Sequence, residues 1–127
     1  MVRVLVPLAA GFEEIETATL VDGLRRAEIE VVLAGLAGPG PCLGSRGRRV
    51  LPELALGDAV GPWDMVVLPG GLGGTQALAA HEPLLALLRE HLSREQPVAA
   101  ICAAPMVLDA AGVLPAGAFT CYPGVER

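Results

Sequence analysis

Short apolar runs alternate with amphipathic stretches along most of this chain. The β-branched run at residues 2–6 ends in a segment with Pro and Gly at residues 7–11, and a helical pattern follows at residues 13–26. Residues 30–34 supply a second apolar run after a short loop. A strand, a helix and a strand joined in this way predict a βαβ unit, in which the strands are parallel and the crossover is right-handed.

The first predicted helix has apolar side chains at three-residue intervals, namely Ile15, Ala18, Val21 and Leu24. This spacing predicts that Ile15 faces the core. Glu13 and Glu14 are expected to be ordinary first-turn carboxylates, which the helix dipole favours. Glu16 lies one position past Ile15, on a helix whose start overlooks the predicted strand ends. Its carboxyl group is therefore expected to reach that region.

The middle of the chain is less regular. Residues 35–49 are rich in Gly, Pro and Arg and predict a surface excursion, with an irregular hairpin through residues 41–43 and 48–51. This excursion is expected at a sheet edge or at a partner contact. Residues 63–68 form the third predicted parallel strand, which the glycine-rich segment at residues 69–74 stops.

The last third of the chain returns to the alternation. The pattern predicts a leucine-rich helix over residues 83–92, a fourth parallel strand over 97–101, a helix over 103–111 and a short strand over 118–121. Together the elements predict an α/β fold with a doubly wound, mostly parallel sheet sandwiched by helices. Residues 1–127 are expected to form a single domain.

Composition narrows the classes of function. The chain has 127 residues, of which 53% are hydrophobic, enough for the core of one compact unit. A formal net charge of -5 argues against nucleic acid binding. Residues 1–10 are apolar but too few to cross a membrane, so no membrane insertion is expected. All nine cationic residues are arginine, and without lysine the chain cannot perform Schiff-base, pyridoxal phosphate or Walker-type ATP chemistry.

The cysteines and histidines narrow the chemistry further. The chain has three cysteines, Cys42, Cys102 and Cys121. An odd count without C-x-x-C spacing disfavours a disulfide framework and a structural zinc site. They indicate a reducing, cytoplasmic location. His81 and His91 are predicted to be solvated surface residues, and their separation gives no metal signature.

Cys102 lies where an apolar run gives way to the start of a helix, with Ala100 and Ala104 on either side. Such a turn lifts its central side chain out of the sheet, and the free N–H groups of a helix start favour a thiolate. Small neighbours permit a sharp turn, as glycines do in the G-x-S-x-G nucleophile elbow. A buried structural cysteine explains the same segment, since free cysteine is among the most buried residue types. The segment alone leaves both interpretations open.

Two neighbouring features fit a nucleophile at this turn. The segment at residues 69–74 lacks the Gly-Lys-Ser/Thr ending of a phosphate-binding loop. Its backbone N–H groups, with that of Ala103, are expected to hold an oxyanion. The alternative interpretation of this segment is a flexible strand-to-helix turn. A carboxyl at Glu16, beside a thiolate in a desolvated site, would keep its proton and act as a proton donor. A serine hydrolase is nearly excluded, because Ser45 lies in the excursion loop and Ser93 at a polar helix end.

The chain resembles the ThiJ/PfpI superfamily, most closely its Parkinsonism-associated deglycase branch. The matching segments stand in the family's order at residues 11–16, 45–47, 63–71, 99–105 and 120–124. The resemblance implies a flavodoxin-like fold of the class I glutamine amidotransferase type.

The resemblance also implies roles for single residues. Cys102 would be the elbow cysteine and Glu16 its carboxylic-acid partner, with oxyanion donors at the backbones of Gly71 and Ala103. A further group would lie on the substrate or dimer side of the site, namely Gly70, Arg46 and Tyr122.

Two departures from the family pattern are present. Members that use a histidine near the cysteine carry it just before the proline that matches Pro123, where this chain has Tyr122. A Cys-His triad therefore cannot be assembled from that position. Relatives also continue by another strand and a final helix, so the resemblance predicts that this last layer is lacking here and that an apolar face is exposed.

The function that the resemblance implies is that of a cysteine-dependent hydrolase or glyoxalase. It would act on small reactive carbonyls such as methylglyoxal and glyoxal, or on glycated proteins, with no metal or organic cofactor. The competing interpretation is a redox sensor or chaperone, in which Cys102 is oxidised to a sulfinic acid that Glu16 hydrogen-bonds. An intracellular peptidase and an inactive truncated homologue are further alternatives. Family members pair through the first helix and neighbouring loops, so a homodimer is expected.

Overall fold

The central sheet is built from the apolar runs of the sequence. The computed structural model describes residues 2–114, 121 and 123–125, and within them five strands form a parallel sheet while two form an antiparallel hairpin. The strands are β1 (Arg3–Leu8), β2 (Glu30–Gly35), β3 (Cys42–Leu43), β4 (Arg49–Val50), β5 (Leu54–Ala55), β6 (Met65–Leu68) and β7 (Val98–Ala100). The order in the sheet is β5-β2-β1-β6-β7, and β3 and β4 form the hairpin.

The sheet carries a hydrophobic core on each face, because successive side chains of a strand point to opposite sides. On β1, Leu5 belongs to one core, while Val4 and Val6 belong to the other. The helices are α1 (Glu14–Arg26), α2 (Leu72–Ala79), α3 (Glu82–Ser93) and α4 (Pro105–Ala110), with a 3-10 turn at Leu56–Asp58. Helices α2, α3 and α4 cover the first core, and α1 covers the second together with the hairpin. This arrangement confirms the predicted α/β fold.

The first βαβ unit is confirmed, but β1 is longer than the sequence predicts. It continues through Pro7 to Leu8, in register with β2 at every residue. Pairing of β1 with β6 on its other side is confined to Val4 and Leu5. At Pro7 the strand therefore has a neighbour on one side only, and proline is tolerated at such an edge.

The buried face of α1 differs from the predicted one. Ile15, predicted to face the core, is 76% exposed, whereas Thr17 is 3% exposed. Leu20 and Leu24 complete the packed face with Val21, so the buried positions follow the 3.6-residue helical repeat from Thr17 rather than a strict three-residue interval from Ile15.

The sequence pattern missed two elements near the middle of the chain. Helix α2 begins inside the glycine-rich segment, where the low helix propensity of Gly73 and Gly74 hides it. Gly74 packs closely on the loop before α1, because a Cβ there would lie only 3.0 Å from the backbone nitrogen of Phe12. Strand β5, which pairs with β2 at the sheet edge, is only two residues long and leaves no periodic pattern.

Two further predictions concern the last third of the chain. The prediction that His91 is a solvated surface residue is wrong. His91 is 5% exposed and lies in the last turn of α3. Of the strand predicted over residues 118–121 only Cys121 is described, and Tyr122 lies outside the described residues. Strand β7 lies at the outer edge of the described sheet, and its residues are half-buried. Within the described part of the chain, no helix has the length and apolar character to cross a membrane.

Candidate active site

Cys102 occupies a left-handed turn immediately after β7. Its φ is 58°, a conformation that residues other than Gly, Asn and Asp seldom adopt. The N–H of Ala104 donates to the carbonyl of Ile101 at 2.9 Å, which closes the turn, and α4 begins directly after it. Ala103 and Ala104 are buried, so the turn admits only small neighbours, while the cysteine itself stays half-buried.

The turn between β6 and α2 lies against this cysteine. A Cβ on Gly70 would collide with Oε1 of Glu16 and lie 2.6 Å from the Cβ of Cys102. Gly71 has a φ of 99°, and a Cβ there would lie 2.5 Å from the backbone nitrogen of Glu13. Bare backbone is therefore required at both glycines, and Gly70 lies against both the carboxyl group of Glu16 and Cys102.

Glu16 reaches this region from the first turn of α1. Its Oε1 accepts a hydrogen bond from the N–H of Gly70 at 2.9 Å, and its carboxyl group also hydrogen-bonds with the thiol of Cys102. The N–H of Glu13 donates to the carbonyl of Gly70 at 2.9 Å. The structure thus brings together the start of α1, the glycine turn and the cysteine turn.

The surroundings of Cys102 favour the thiol, whereas the sequence predicts a thiolate. Burial raises the pKa of the Cys102 thiol, and the hydrogen bond and the negative charge of Glu16 raise it further. Hydrogen bonds from the backbones of Ala103 and Gly71 lower this pKa, as a helix start and a glycine turn were expected to do, but they do not outweigh the other causes. Together these causes favour the thiol form of Cys102.

The hairpin approaches the site through Glu14, which is not the ordinary first-turn carboxylate that the sequence predicts. The N–H of Arg46 donates to Oε2 of Glu14 at 2.9 Å, and the N–H of Arg48 donates to the same oxygen at 3.0 Å. The hydroxyl of Ser45 donates to Oε1 at 3.3 Å. These bonds place Arg46, the predicted substrate-side or dimer-side residue, beside the start of α1.

Sequence reasoning missed this role of Glu14. A Cβ on Gly44 would lie 2.5 Å from the Cδ of Glu14, so glycine at this position lets the carboxyl group lie against the hairpin. An isolated glycine in a Gly-rich loop is no signal by itself, and the pairing of residues 30 positions apart leaves no periodicity. Among the described residues, no three His, Cys, Asp or Glu side chains are grouped so as to hold a metal ion.

Comparison with known proteins shows which family this chain resembles. The chain matches the DJ-1/PfpI family over residues 2–127. It is 44% identical to the Parkinson disease protein 7 homolog of Danio rerio, over 98% of this chain and 67% of that protein. It is 33% identical to a protein named deglycase from Pyrococcus horikoshii, over 98% of this chain and 74% of that protein.

A solved structure gives the same result. The crystal structure of Drosophila melanogaster DJ-1beta superposes with a TM-score of 0.94 at 43% identity, over 98% of this chain and 68% of that one. The chain therefore spans about two thirds of the length of these relatives. A family match over nearly the whole chain, together with the shared fold, confirms the resemblance drawn from the motifs: the chain belongs to the DJ-1/PfpI family.

Proposed function

We propose that this chain is a cysteine-dependent enzyme that acts on small reactive carbonyls such as methylglyoxal and glyoxal, or on their adducts with proteins. The observation that carries the proposal is the thiol of Cys102, which hydrogen-bonds with Glu16 and with the backbones of Ala103 and Gly71. A nucleophile, a proton acceptor and two oxyanion donors thus converge on one point. The relative named deglycase supports the same class of chemistry.

The geometry supports a simple first step. The carboxylate of Glu16 takes the proton of Cys102 as the sulfur attacks the aldehyde carbon of methylglyoxal. A carbon–sulfur bond forms, the carbonyl π electrons move to oxygen, and the N–H groups of Gly71 and Ala103 stabilise the alkoxide. Glu16 then returns the proton to that oxygen, which gives a neutral hemithioacetal.

The following steps are redox-neutral. Glu16 removes the proton from the former aldehyde carbon and returns it to the neighbouring carbon, while the hydroxyl proton of the hemithioacetal moves to the ketone oxygen. The first carbon is thereby oxidised to a thioester and the second is reduced to an alcohol. Water then hydrolyses the thioester, which releases the hydroxy acid and restores the thiol of Cys102. No external oxidant or reductant is consumed.

The test is the consumption of methylglyoxal by the wild type and by Cys102→Ser, with the appearance of lactate as the second readout. We expect turnover in the wild type and its loss in Cys102→Ser, while Cys42→Ser, which changes another half-buried thiol, retains it. Turnover that persists in Cys102→Ser would contradict the proposal. A folded wild type without turnover, in which peroxide selectively oxidises Cys102, would instead support a redox sensor.

We also propose that two copies pair through α1 and the hairpin. A groove of about 780 Å³ runs between them, and apolar side chains at its mouth are strongly exposed: Ile15 is 76% and Leu51 is 68% exposed. Pairing would remove these apolar side chains from water, which favours association. Ile15→Asp is expected to lower the sedimenting mass of a dimer to that of a monomer. Val60→Asp is the matched control, because Val60 is 75% exposed and lies outside the groove; a monomeric wild type would refute the pairing.

A further inference from the structure

The first turn of α1 is held from two opposite sides. Glu14 and Glu16 lie two positions apart, which separates their directions by about 200° around the helix axis. Glu16 contacts Gly70 and Cys102, whereas Glu14 contacts the hairpin. The carboxyl group that faces the thiol therefore belongs to a turn whose other side is fastened elsewhere.

The hairpin supports the side of that turn opposite the thiol. Glu13, the N-cap residue of α1, makes no side-chain capping hydrogen bond. In its place, the N–H of Ser45 donates to the carbonyl of Phe12 at 2.8 Å, and the N–H of Gly11 donates to the carbonyl of Leu43 at 2.8 Å. With the bonds to the Glu14 carboxylate, these contacts join the hairpin to Gly11 and Phe12, which precede the helix, and to its first residue.

We propose that Glu14 is a positioning residue: its carboxylate fixes the first turn of α1 on the hairpin and thereby sets the pose of Glu16 against Cys102. This inference deepens the proposed function, on which its turnover readout rests. Its other readout, the reactivity of the thiol, requires no substrate.

Loss of the Glu14 contact has a defined consequence. A first turn without a side-chain cap frays when its remaining anchors weaken. Glu16 then withdraws from Gly70 and from the thiol, and its negative charge no longer raises the pKa of Cys102. That pKa therefore falls toward the ordinary value for a thiol, while the proton acceptor for the reaction is misplaced.

The pH range of the contact follows from its hydrogen bonds. Burial raises the pKa of Glu14, but the backbone N–H groups of Arg48, of Glu14 itself and of Arg46, with the Ser45 hydroxyl, outweigh burial and lower it. A lowered pKa means that the contact is complete above the ordinary carboxyl range. It is lost only as the pH falls through the lowered value.

The experiment measures the rate of Cys102 alkylation by iodoacetamide against pH, with the modified peptide resolved by mass spectrometry. Glu14→Ala removes the carboxylate, Glu14→Gln keeps one acceptor oxygen, and Gly44→Ala displaces the carboxylate without changing charge. We expect the midpoint to move to lower pH in Glu14→Ala and Gly44→Ala, with a smaller shift in Glu14→Gln. On methylglyoxal, kcat is expected to fall about 10- to 100-fold, with KM little changed.

Two matched controls separate this role from general damage. Glu82→Ala removes the carboxylate of the first residue of another helix, α3. Gly40→Ala adds a methyl group where no atom lies within 4 Å. Both are expected to give the wild-type pH profile.

The outcomes are distinguishable. Folded Glu14→Ala and Gly44→Ala proteins with the wild-type alkylation profile would overturn the positioning role, whether or not methylglyoxal is consumed. If Glu14→Ala does not fold, Gly44→Ala and Glu14→Gln decide by the same profile. A wild type that does not consume methylglyoxal overturns the proposed function alone, because the alkylation profile still tests the role of Glu14.

Discussion

At the scale of single residues, the reactivity of Cys102 reflects a balance between opposing neighbours. Burial and the carboxylate of Glu16 disfavour the thiolate, while two backbone N–H groups favour it. The sequence indicated the N–H groups, because a turn followed by a helix start is visible in the order of residues. The burial and the distance to Glu16 depend on packing between elements, which no local pattern encodes.

Glu16→Gln tests this balance. The amide keeps a hydrogen-bond acceptor for Gly70 but removes the negative charge beside the thiol. The alkylation midpoint of Cys102 is therefore expected above that of free cysteine in the wild type and at lower pH in Glu16→Gln. Methylglyoxal turnover should fall by about 10²- to 10⁴-fold, because the proton acceptor is lost. An unchanged midpoint would show that the charge of Glu16 does not act on the thiol.

His91 gives a second test at this scale. Burial lowers the pKa of its imidazole below the ordinary value of 6.5, and its Nδ1 has no hydrogen-bond partner among the described residues. A lowered pKa contributes stability that is complete above pH 6.5 and is lost as the pH falls through the lowered value. Urea unfolding at several pH values should show this decline, with a slope of at most about 1.4 kcal/mol per pH unit. His91→Phe should lack this part of the decline, and an identical slope in both proteins would contradict the assignment.

At the scale of elements, the helices begin and end in ways that the sequence indicates only in part. The strongly patterned helices α1 and α3 were predicted within one or two residues, whereas α2 was missed because glycine is a poor helix former. A Cβ on Gly74 would crowd the backbone of the loop before α1, whereas a Cβ on Gly73 would make only ordinary contacts. Tertiary contact has overridden local propensity at this element.

The helix ends provide a prediction about stability. Glu28 and Glu95 follow the last turns of α1 and α3 with φ of 63° and 59°. Glycine is favoured at this position after a helix, because it adopts a left-handed backbone without steric cost. Glu28→Gly and Glu95→Gly should each stabilise the fold by about 0.5–1 kcal/mol, measured from the urea midpoint. Glu90→Gly, inside α3, should destabilise it by about 1 kcal/mol; a loss of stability in the first two variants would refute the argument.

At the scale of the whole molecule, the alternation of apolar runs and helices was sufficient to predict the layers and the parallel sheet. It could not predict how the three turns of the candidate site meet, because their contacts join residues up to 86 positions apart, as Glu16 and Cys102 show. The family motifs indicated that these turns form one site, and the structure shows why they can lie so close together. Gly11, Gly70 and Gly71 let three backbones approach more closely than any side chain would allow.

The sheet itself should show graded stability. Strand β1 lies between β2 and β6 and its residues are almost fully buried, whereas β7 lies at the outer edge of the described sheet with half-buried residues. Native-state hydrogen exchange is therefore expected to be slowest at Val4 and Leu5 and faster at Val98 to Ala100. Equal protection of the two strands would contradict this gradient and would indicate that β7 is covered in solution.

The left-handed backbone at Cys102 lowers the stability of the fold. A residue other than glycine costs about 1–2 kcal/mol in this conformation, so a sequence optimised for stability alone would carry glycine at the turn. Cys102→Gly should consequently melt at a higher temperature than Cys102→Ala, which loses the same thiol but retains the strained backbone. The thiol at this turn is therefore present at a cost in stability, which a comparison of the two melting temperatures would measure.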